Sequence, residues 1–306
     1  MSAPSAPASD LDPGGLAEVR AAVLGWFERA RRDLPWRRTR DPYRVLVAEV
    51  LAQQTQAERA AAAYPRFLER FPDVEALAAA SPAEVLRAWQ GLGYNRRALA
   101  LRACAQVVAA RGGWPGTIAE LAELPGVGPY TARAVACFAF GQDVAPVDTN
   151  VARVLARSLA GADPGQLGAA ARQRLADEAM PAGTGQAWAW SSALMDVGAA
   201  HCRPQPRCDG CPLALRCRWR ALGAAAPPPV PRSQPRFATS DRRWRGAVVR
   251  ALAGAPAAGL DEAALARITN AAAAGRPDGW FPALLERLQT EGLITRDPEG
   301  RFHLPS

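Results

Sequence analysis

Apolar residues recur every three or four positions along most of the chain, and this spacing predicts a protein built mainly of helices. The first helix is predicted from Leu16 to Arg32, and the second, which is almost wholly apolar, from Arg44 to Ala52. Glycine, proline and short polar residues separate the later segments. Further helices are predicted at residues 57–71, 73–80, 82–90, 130–140, 151–159, 166–178 and 186–200. The pattern therefore predicts an all-α fold.

The stretch 124–150 is the most informative part of this pattern. Gly126 and Gly128 bracket Val127 in a turn where we expect positive φ, which glycine adopts without strain. The turn leads directly into the helix 130–140, so the first amides of that helix should face outward. Such amides bind phosphate without a basic side chain, because the positive end of the helix dipole lies behind them. A lone glycine turn could equally be an ordinary connection between helices.

Two carboxylates stand at positions that favour opposite protonation states. Glu49 is the only acid in the apolar helix 44–52, and burial there would raise its pKa and allow it to act as a general acid. The alternative is a glutamate paired with an arginine at the helix edge. Asp148 precedes the helix that begins near Val151, so it can cap that helix and be held ionised by the helix dipole.

Two aromatic residues follow breaks in the helical pattern. Trp36 comes directly after the proline that ends the first helix, and its ring is large enough either to wall a pocket or to fill the core. Tyr94 ends the glycine-containing turn 91–94 and stands at the start of the next helix. Ordinary helix packing is the alternative explanation of Tyr94.

Cysteine spacing indicates a metal centre. Four cysteines fall within 16 residues in the pattern C-x5-C-x2-C-x5-C: Cys202, Cys208, Cys211 and Cys217. A zinc ribbon normally has two C-x-x-C pairs separated by a dozen or more residues, and this segment has only one such pair. Ligation by thiolates alone from one compact loop also suits a [4Fe-4S] cluster. The other two cysteines, Cys104 and Cys137, lie in apolar helices and are predicted to be core thiols.

The two ends of the chain differ from its centre. Residues 1–15 are polar and rich in proline, which predicts disorder and excludes a signal peptide. Residues 222–240 include A-P-P-P-V-P and are predicted to be a stiff linker. The segment 241–306 is predicted to be a small winged-helix-like module, with three helices and a hairpin that turns at residues 297–300. Such a module could add a binding contact or serve only for packing.

Composition and charge narrow the class of protein. The chain has 306 residues, 49% of them hydrophobic, and a formal net charge of +8, which favours a polyanionic partner. All 37 basic residues are arginine. A Schiff base between a side chain and a sugar requires a lysine amine, so lyase chemistry of that kind could use only the N-terminal amine. No apolar run is long enough to span a bilayer, and we expect a soluble, cytoplasmic protein with reduced cysteines.

Four separated motifs resemble one family. L-P-G-V-G-P-Y-T-A followed by V-D-T-N resembles the helix-hairpin-helix and catalytic aspartate of the DNA glycosylase superfamily that includes endonuclease III and the MutY adenine glycosylases. E-V-L-A-Q-Q-T-Q, from Glu49, resembles the MutY signature, and G-L-G-Y, ending at Tyr94, is similar to a turn of the same family. The cysteine loop resembles the family's cluster loop, although five residues rather than the usual six separate its first two cysteines. The resemblance covers residues 16–220.

The resemblance implies a role for each matched residue. Glu49 would protonate adenine, Asp148 would stabilise the cationic sugar, and Asn150 would orient Asp148. Tyr130 occupies the position of the lyase lysine of endonuclease III, which favours a monofunctional enzyme. By the resemblance, one glutamine would wedge into the base stack and Tyr94 would line the lesion site. The full set of expected DNA-contacting residues is Trp36, Gln53, Gln54, Tyr94, Gly126, Val127 and Gly128. The cysteine ligands would hold a [4Fe-4S] cluster.

The implied architecture is an all-α helix-hairpin-helix glycosylase fold with a cluster loop and the winged-helix-like module. Residues 16–40 and 155–221 would form the iron-sulfur domain, and residues 41–154 the helix-hairpin-helix domain. The implied function is removal of adenine mispaired with 8-oxoguanine or guanine by a monomer that binds damaged or mispaired duplex DNA. It would act in the cytoplasm, at the nucleoid.

The chain also departs from the family. We find no counterpart of the larger Nudix-like domain that usually follows the glycosylase region and reads oxidised guanine. A mismatch thymine or uracil glycosylase of the same fold is the nearer alternative, although Glu49 and the Q-Q-T-Q run favour adenine. A non-catalytic iron-sulfur protein that senses DNA damage is the second alternative, and the two carboxylates argue against it.

Overall fold

A computed structural model describes residues 13–223, 237, 240–271 and 275–306. These residues form fifteen α-helices and one small antiparallel sheet, which confirms the predicted helical fold. Helices α1 to α8 span Pro13–Ala30, Pro42–Ala52, Ala57–Arg70, Val74–Ala79, Pro82–Ala88, Arg96–Arg111, Ile118–Ala122 and Pro129–Phe138. Helices α9 to α15 span Thr149–Leu155, Ala169–Ala179, Ala187–Ala200, Arg218–Ala221, Asp241–Ala253, Glu262–Ile268 and Trp280–Thr290. Strands β1 and β2 span Thr295–Arg296 and Phe302–His303.

Helix starts coincide with residues that satisfy the free amides of the first turn. At α5, the Ser81 hydroxyl accepts from the Glu84 amide at 3.2 Å and the Glu84 carboxylate accepts from the Ser81 amide at 2.9 Å. This reciprocal capping box confirms the predicted start. At α4, Asp73 accepts from the Ala76 amide at 2.8 Å. Short local signals therefore set these boundaries.

Several boundaries differ from the predicted ones. α1 begins at Pro13, so the prediction of disorder is wrong for residues 13–15; proline is favoured in the first turn because its φ is already helical. The rest of that N-terminal segment, and most of the predicted linker 222–240, lie outside the described residues. The predicted helix 151–159 divides into α9 and a single π-helical turn, Ala156–Ala160. Two short helices, α7 and α12, escaped prediction because they are too short to show periodicity.

The chain divides into two compact units. Unit 1 comprises residues 1–45, 116–122 and 128–230, and unit 2 comprises residues 46–115, 123–127 and 231–306. The predicted division into domains stays a prediction. In the part of the chain that the structure describes, no helix is long and apolar enough to cross a membrane.

Unit 1 is built around α11, which packs against α1 and α9. The approach to α9 is close: a Cβ atom on Gly198 would lie 2.5 Å from Cβ of Asn150. Asp196, also on α11, is 1% exposed and accepts from Arg32 and Arg37, with the Arg37 contact at 2.7 Å. α11 therefore fixes both the start of α9 and the segment that follows α1.

Unit 2 centres on α6, which packs against α4 and α5. Trp89 is fully buried, and its ring lies edge-on to Phe67 with centroids 5.7 Å apart.

Helix α13, from the C-terminal segment, packs against α5, and Nε of Arg87 donates to the carbonyl of Ala253 at 3.3 Å. The predicted C-terminal helices and hairpin are present, with the turn closed by the Gly300 amide and the Asp297 carbonyl at 3.0 Å. Winged-helix identity stays a prediction.

Candidate active site

Asp148 caps α9, as its sequence position predicts. One oxygen of its carboxylate accepts from the Val151 amide at 2.7 Å, and the other accepts from Nδ2 of Asn150 at 3.0 Å. Both carboxylate oxygens are therefore held by groups within three residues of it. This contact supports the predicted positioning of Asp148 by Asn150.

The protonation state of Asp148 is less simple than its cap position suggests. Desolvation raises the pKa of this half-buried carboxyl, whereas the Val151 and Asn150 hydrogen bonds and the Arg153 charge lower it. Desolvation is the larger effect, so the net shift is upward. That the helix dipole holds Asp148 ionised stays a prediction, because the dipole competes with the removal of water. Desolvation therefore raises the free energy of the Asp148 anion, and a positive charge nearby would lower it.

Arg153 connects the aspartate cap to the cysteine loop. Its Nη2 donates to the Asn150 side-chain oxygen at 2.7 Å and to the Gly198 carbonyl at 3.2 Å. Its Nε donates to the Cys202 carbonyl. Sequence reasoning missed this residue, although its position three after Asn150 on the same helix was a usable signal. The cap and the start of the cysteine loop are thus joined within unit 1.

The four predicted cysteine ligands line one small cavity, together with apolar side chains. Burial raises the pKa of Cys202 and Cys217, and raises that of Cys211 to about 11. No group of three or more His, Cys, Asp or Glu in the described residues is arranged to hold a single metal ion. Four sulfur donors lining one cavity are the donor set that a thiolate-ligated iron-sulfur group requires.

Arg157, a second residue that sequence reasoning missed, is buried and binds the backbone of the cysteine loop. It is 2% exposed and donates to the carbonyls of Arg203 and Pro204 at 2.8 and 3.0 Å. Its charge is balanced by Asp163 at 3.0 Å, and its guanidinium lies 4.8 Å from the Trp219 ring centroid. Nε of Arg203, within the loop, donates to the Ala199 carbonyl at 2.8 Å.

Glu49 lies on α2 between two buried neighbours, Ala48 and Val50, and is itself half-buried. The segment after α2 turns back sharply, and Gln54 adopts a positive φ of 54°. Gln53 and Gln54 line a cavity of about 760 Å³ in unit 2. Tyr94, Gly126 and Val127 line the same cavity, so unit 2 brings together five of the predicted DNA-contacting residues.

Arg97 binds both the loop after α2 and the turn 91–94 before α6. Nothing in the sequence pattern predicted this role. Its Nη1 donates to the Val50 carbonyl at 2.8 Å and to the Gln53 carbonyl. Its Nη2 donates to the Leu92 and Gly93 carbonyls, each at 3.1 Å. Burial lowers the pKa of Arg97 to about 10, which leaves it charged at neutral pH. One guanidinium therefore fixes the loop after α2 and the turn before α6.

The glycine turn is only partly as predicted. Gly126 has φ +75°, and a Cβ atom there would lie 2.7 Å from Cβ of Ala100, so glycine is required on both grounds. Gly128 has φ −88° and caps α8, so the prediction of positive φ is wrong for this residue. Val127 is buried and its amide donates to the Leu124 carbonyl at 3.0 Å. Gly126 and Gly128 are both exposed at this turn.

Tyr130, Trp36 and Cys137 lie in unit 1, whereas Cys104 lies in unit 2. Tyr130 is half-buried in the first turn of α8, and Trp36 is half-buried in the 3₁₀ turn Pro35–Arg38. Cys104 and Cys137 are fully buried, which confirms the prediction of core thiols. In unit 1, Asn150 thus contacts Asp148, and the four loop cysteines line one cavity.

Comparison with known proteins agrees with this geometry. The family model of the HhH-GPD superfamily base excision DNA repair protein matches residues 47–176. An adenine DNA glycosylase of Mycobacterium tuberculosis is 41% identical over 92% of this chain and 92% of its own length. The human adenine DNA glycosylase is 41% identical over 68% of this chain and 40% of its own length. The solved structure of a thermostable thymine-DNA glycosylase, 32% identical, matches with a TM-score of 0.63 over 68% of this chain and 98% of that one. The chain belongs to the adenine DNA glycosylase family within the HhH-GPD superfamily of base excision DNA repair proteins.

Proposed function

We propose that this protein is a monofunctional DNA glycosylase that hydrolyses the N-glycosidic bond of adenine mispaired with 8-oxoguanine or guanine in duplex DNA. The observation that carries the proposal is the Asp148 cap, in which both carboxylate oxygens are held by hydrogen bonds while desolvation raises the pKa. Such an anion stabilises developing positive charge better than a solvated carboxylate does. The adenine DNA glycosylase relatives support the choice of base.

The reaction divides between two carboxyl groups. The target nucleotide must first leave the base stack, because its glycosidic bond is inaccessible inside the duplex. Glu49, as the acid, donates its proton to N7 of adenine, and the bond from N9 to C1′ then breaks with its electrons going to the base. Asp148, as the anion, stabilises the cationic sugar through charge or a transient bond to C1′. Water oxygen finally bonds to C1′, any Asp148–C1′ bond breaks with its electrons returning to the carboxylate, and one water proton goes to Glu49.

The absence of lysine from the sequence supports hydrolysis without strand cleavage. A lyase step would need an amine that attacks C1′, and the residue at the matching position, Tyr130, has no amine. The product strand should therefore stay intact until heat or alkali is applied. Borohydride should trap no adduct once the N-terminal amine is blocked.

Cys202, Cys208, Cys211 and Cys217 would hold a [4Fe-4S] cluster, and their shared cavity supports this assignment. When bound, the cluster would replace the protons of four half-buried thiols with iron–thiolate bonds and cross-link the loop. Arg157 and Arg153 donate hydrogen bonds to carbonyls of the loop backbone. Protein isolated anaerobically should contain about four irons and negligible zinc.

Duplex DNA with a mispaired base is the proposed partner. The exposed glycines of the hairpin, Gly126 and Gly128, suit contact with phosphate, and the chain's charge of +8 suits a polyanion. Gln53, Gln54 and Tyr94, which line one cavity, are proposed to enter the base stack. Trp36 is proposed to line the DNA surface of unit 1.

One structural match favours a second candidate function. The thymine-DNA glycosylase structure shares 32% identity with this chain, so thymine opposite guanine must be tested beside adenine. Single-turnover excision on three duplexes decides between the candidates: adenine opposite 8-oxoguanine, adenine opposite guanine, and thymine opposite guanine. We expect excision of adenine alone. Faster loss of thymine would reassign the substrate, and loss of neither base would support a non-catalytic sensor of damage.

A further inference from the structure

Tyr94 has a backbone conformation that tyrosine rarely adopts. It adopts φ +47° and follows two glycines, Gly91 and Gly93, that also have positive φ. Few residues other than glycine adopt this region, and they stay there only when the surroundings hold them. The ring is 40% exposed, so packing on the core holds only part of it. Other groups must therefore fix its direction.

Two arginines contact Tyr94 from different parts of unit 2. The guanidinium of Arg97 lies 5.5 Å from the ring centroid, and its Nη2 binds the Gly93 carbonyl just before the tyrosine. Nη1 of Arg242 donates to the Tyr94 hydroxyl at 2.9 Å. Arg242 lies 148 residues further along the chain, at the start of α13. The base of the side chain is thus held by α6 and its tip by the C-terminal segment.

Helix α13 is itself fixed, so it delivers Arg242 to a defined place. Arg245, one turn later, forms an ion pair with Glu291 at the end of α15. Nε of Arg242 donates to the Ser240 hydroxyl at 3.3 Å, which limits the rotation of the guanidinium. Val248 and Val249 of the same helix are fully buried. The contact with Tyr94 therefore extends from a packed helix rather than from a loose tail.

We infer that Arg242 is a positioning residue, through which the C-terminal segment holds Tyr94 in the direction needed to enter the base stack of mispaired DNA. The inference rests on the proposed function, because it assigns the DNA contact to Tyr94. It also gives the C-terminal segment a role that needs no base contact of its own. Arg242 then acts on DNA through the tyrosine ring, and its charge matters less than its hydrogen bond.

A double-mutant cycle tests this role. Arg242→Met removes the donor, Tyr94→Phe removes only the acceptor hydroxyl, and Arg242→Lys keeps a charged donor. Binding is measured on a duplex whose adenosine, opposite 8-oxoguanine, carries a 2′-fluorine that prevents excision. We expect Arg242→Met and Tyr94→Phe each to weaken binding about tenfold, the double variant to be no weaker than either, and Arg242→Lys to recover part of the loss.

Arg250→Met is the matched control, because Arg250 is an exposed arginine on the same helix. It removes the same charge without touching Tyr94. If Arg242 contacted phosphate instead, its loss would reduce the slope of log binding constant against log salt concentration by about one. It would also weaken binding to matched and mispaired duplexes equally. For a positioning residue, the salt dependence of Arg242→Met should match that of wild type, and the loss should be confined to the mispaired duplex.

Additive losses in the double variant, a reduced salt dependence, or no loss in Arg242→Met would each overturn the inference. Thermal unfolding of every variant should stay near that of wild type, which separates lost positioning from lost folding. Because the duplex is not cleaved, the cycle can be read even if the protein excises no adenine. Failure of the proposed function would appear instead in the wild-type excision assay.

Discussion

The Asp148 cap and the Tyr94 turn are two candidate functional regions held by different kinds of contact. Asp148 has ordinary extended backbone and is bound by the next residues of its own helix, Asn150 and Val151. Tyr94 has positive φ and is bound by Arg97 and, from far along the chain, by Arg242. The cap is thus built by local geometry and the turn by distant arginines. We expect the cap to be stiff and the turn to depend on its supports.

The largest effect is expected from the carboxylates. Asp148→Asn and Glu49→Gln keep side-chain shape but remove the anion and the proton donor, so single-turnover excision of adenine should fall about 10³-fold or more. Binding of mispaired duplex should stay within about tenfold of wild type. The control is Asp73→Asn, which alters the cap of α4 in the same way and should leave excision unchanged. Near wild-type excision by either carboxylate variant would remove it from the proposed mechanism.

The next effect tests the turn. Arg97→Met removes donors from four backbone carbonyls and should lower the free energy of unfolding by about 2–4 kcal/mol. Amide hydrogen exchange should become faster at residues 53–55 and 91–94 together, because one guanidinium serves both turns. The aspartate cap should keep its exchange rates.

Arg96→Met is the control for that variant, since Arg96 is its exposed neighbour and carries the same charge. Its effect on unfolding should stay within about 0.5 kcal/mol. Faster exchange in only one turn would show that Arg97 supports that turn alone. Unchanged exchange in both would refute the contrast between a stiff cap and a supported turn.

Features set by local contacts were predictable from the sequence, and features set by distant contacts were not. Most of the helices, the cap at Asp148 and the buried thiols were predicted correctly, because their signals lie within a few residues of each other. The positive φ of Tyr94 and Gln54 was not predictable, since neither residue type favours it and the stabilising contacts come from Arg97 and Arg242. The upward shift of the Asp148 pKa was not predictable, because desolvation depends on atoms packed around the carboxyl, and these are not adjacent in sequence.

A smaller effect distinguishes the two glycines of the hairpin. Gly126→Ala would place a methyl group 2.7 Å from Cβ of Ala100 and strain a positive φ, so unfolding free energy should fall by about 1–3 kcal/mol. Gly128→Ala meets open space at negative φ and should change stability by less than about 0.5 kcal/mol. Urea unfolding of both variants measures the difference. Equal losses would mean that the turn requires glycine at both positions.

The smallest effect concerns the stability of the cap itself. Because the pKa of Asp148 is raised in the folded state, the folded protein binds a proton more tightly than the unfolded chain does. This carboxyl therefore favours folding least at high pH: its ionisation destabilises the fold progressively as pH rises through the folded pKa, and the penalty disappears below the ordinary pKa of aspartate. An asparagine at this position would still cap α9, since asparagine is as good a cap as aspartate.

Asp148→Asn should consequently be more stable than wild type at pH 7, by about 0.5–2 kcal/mol, while having lost excision. The gain should shrink as pH falls toward about 4, where the wild-type carboxyl becomes protonated in both states. Thermal unfolding at several pH values, with Asp73→Asn as the control at an exposed cap, measures this. A variant that is less stable than wild type at pH 7 would mean that the hydrogen bonds to the anion outweigh its desolvation, and that the cap stabilises the fold rather than storing energy for the reaction.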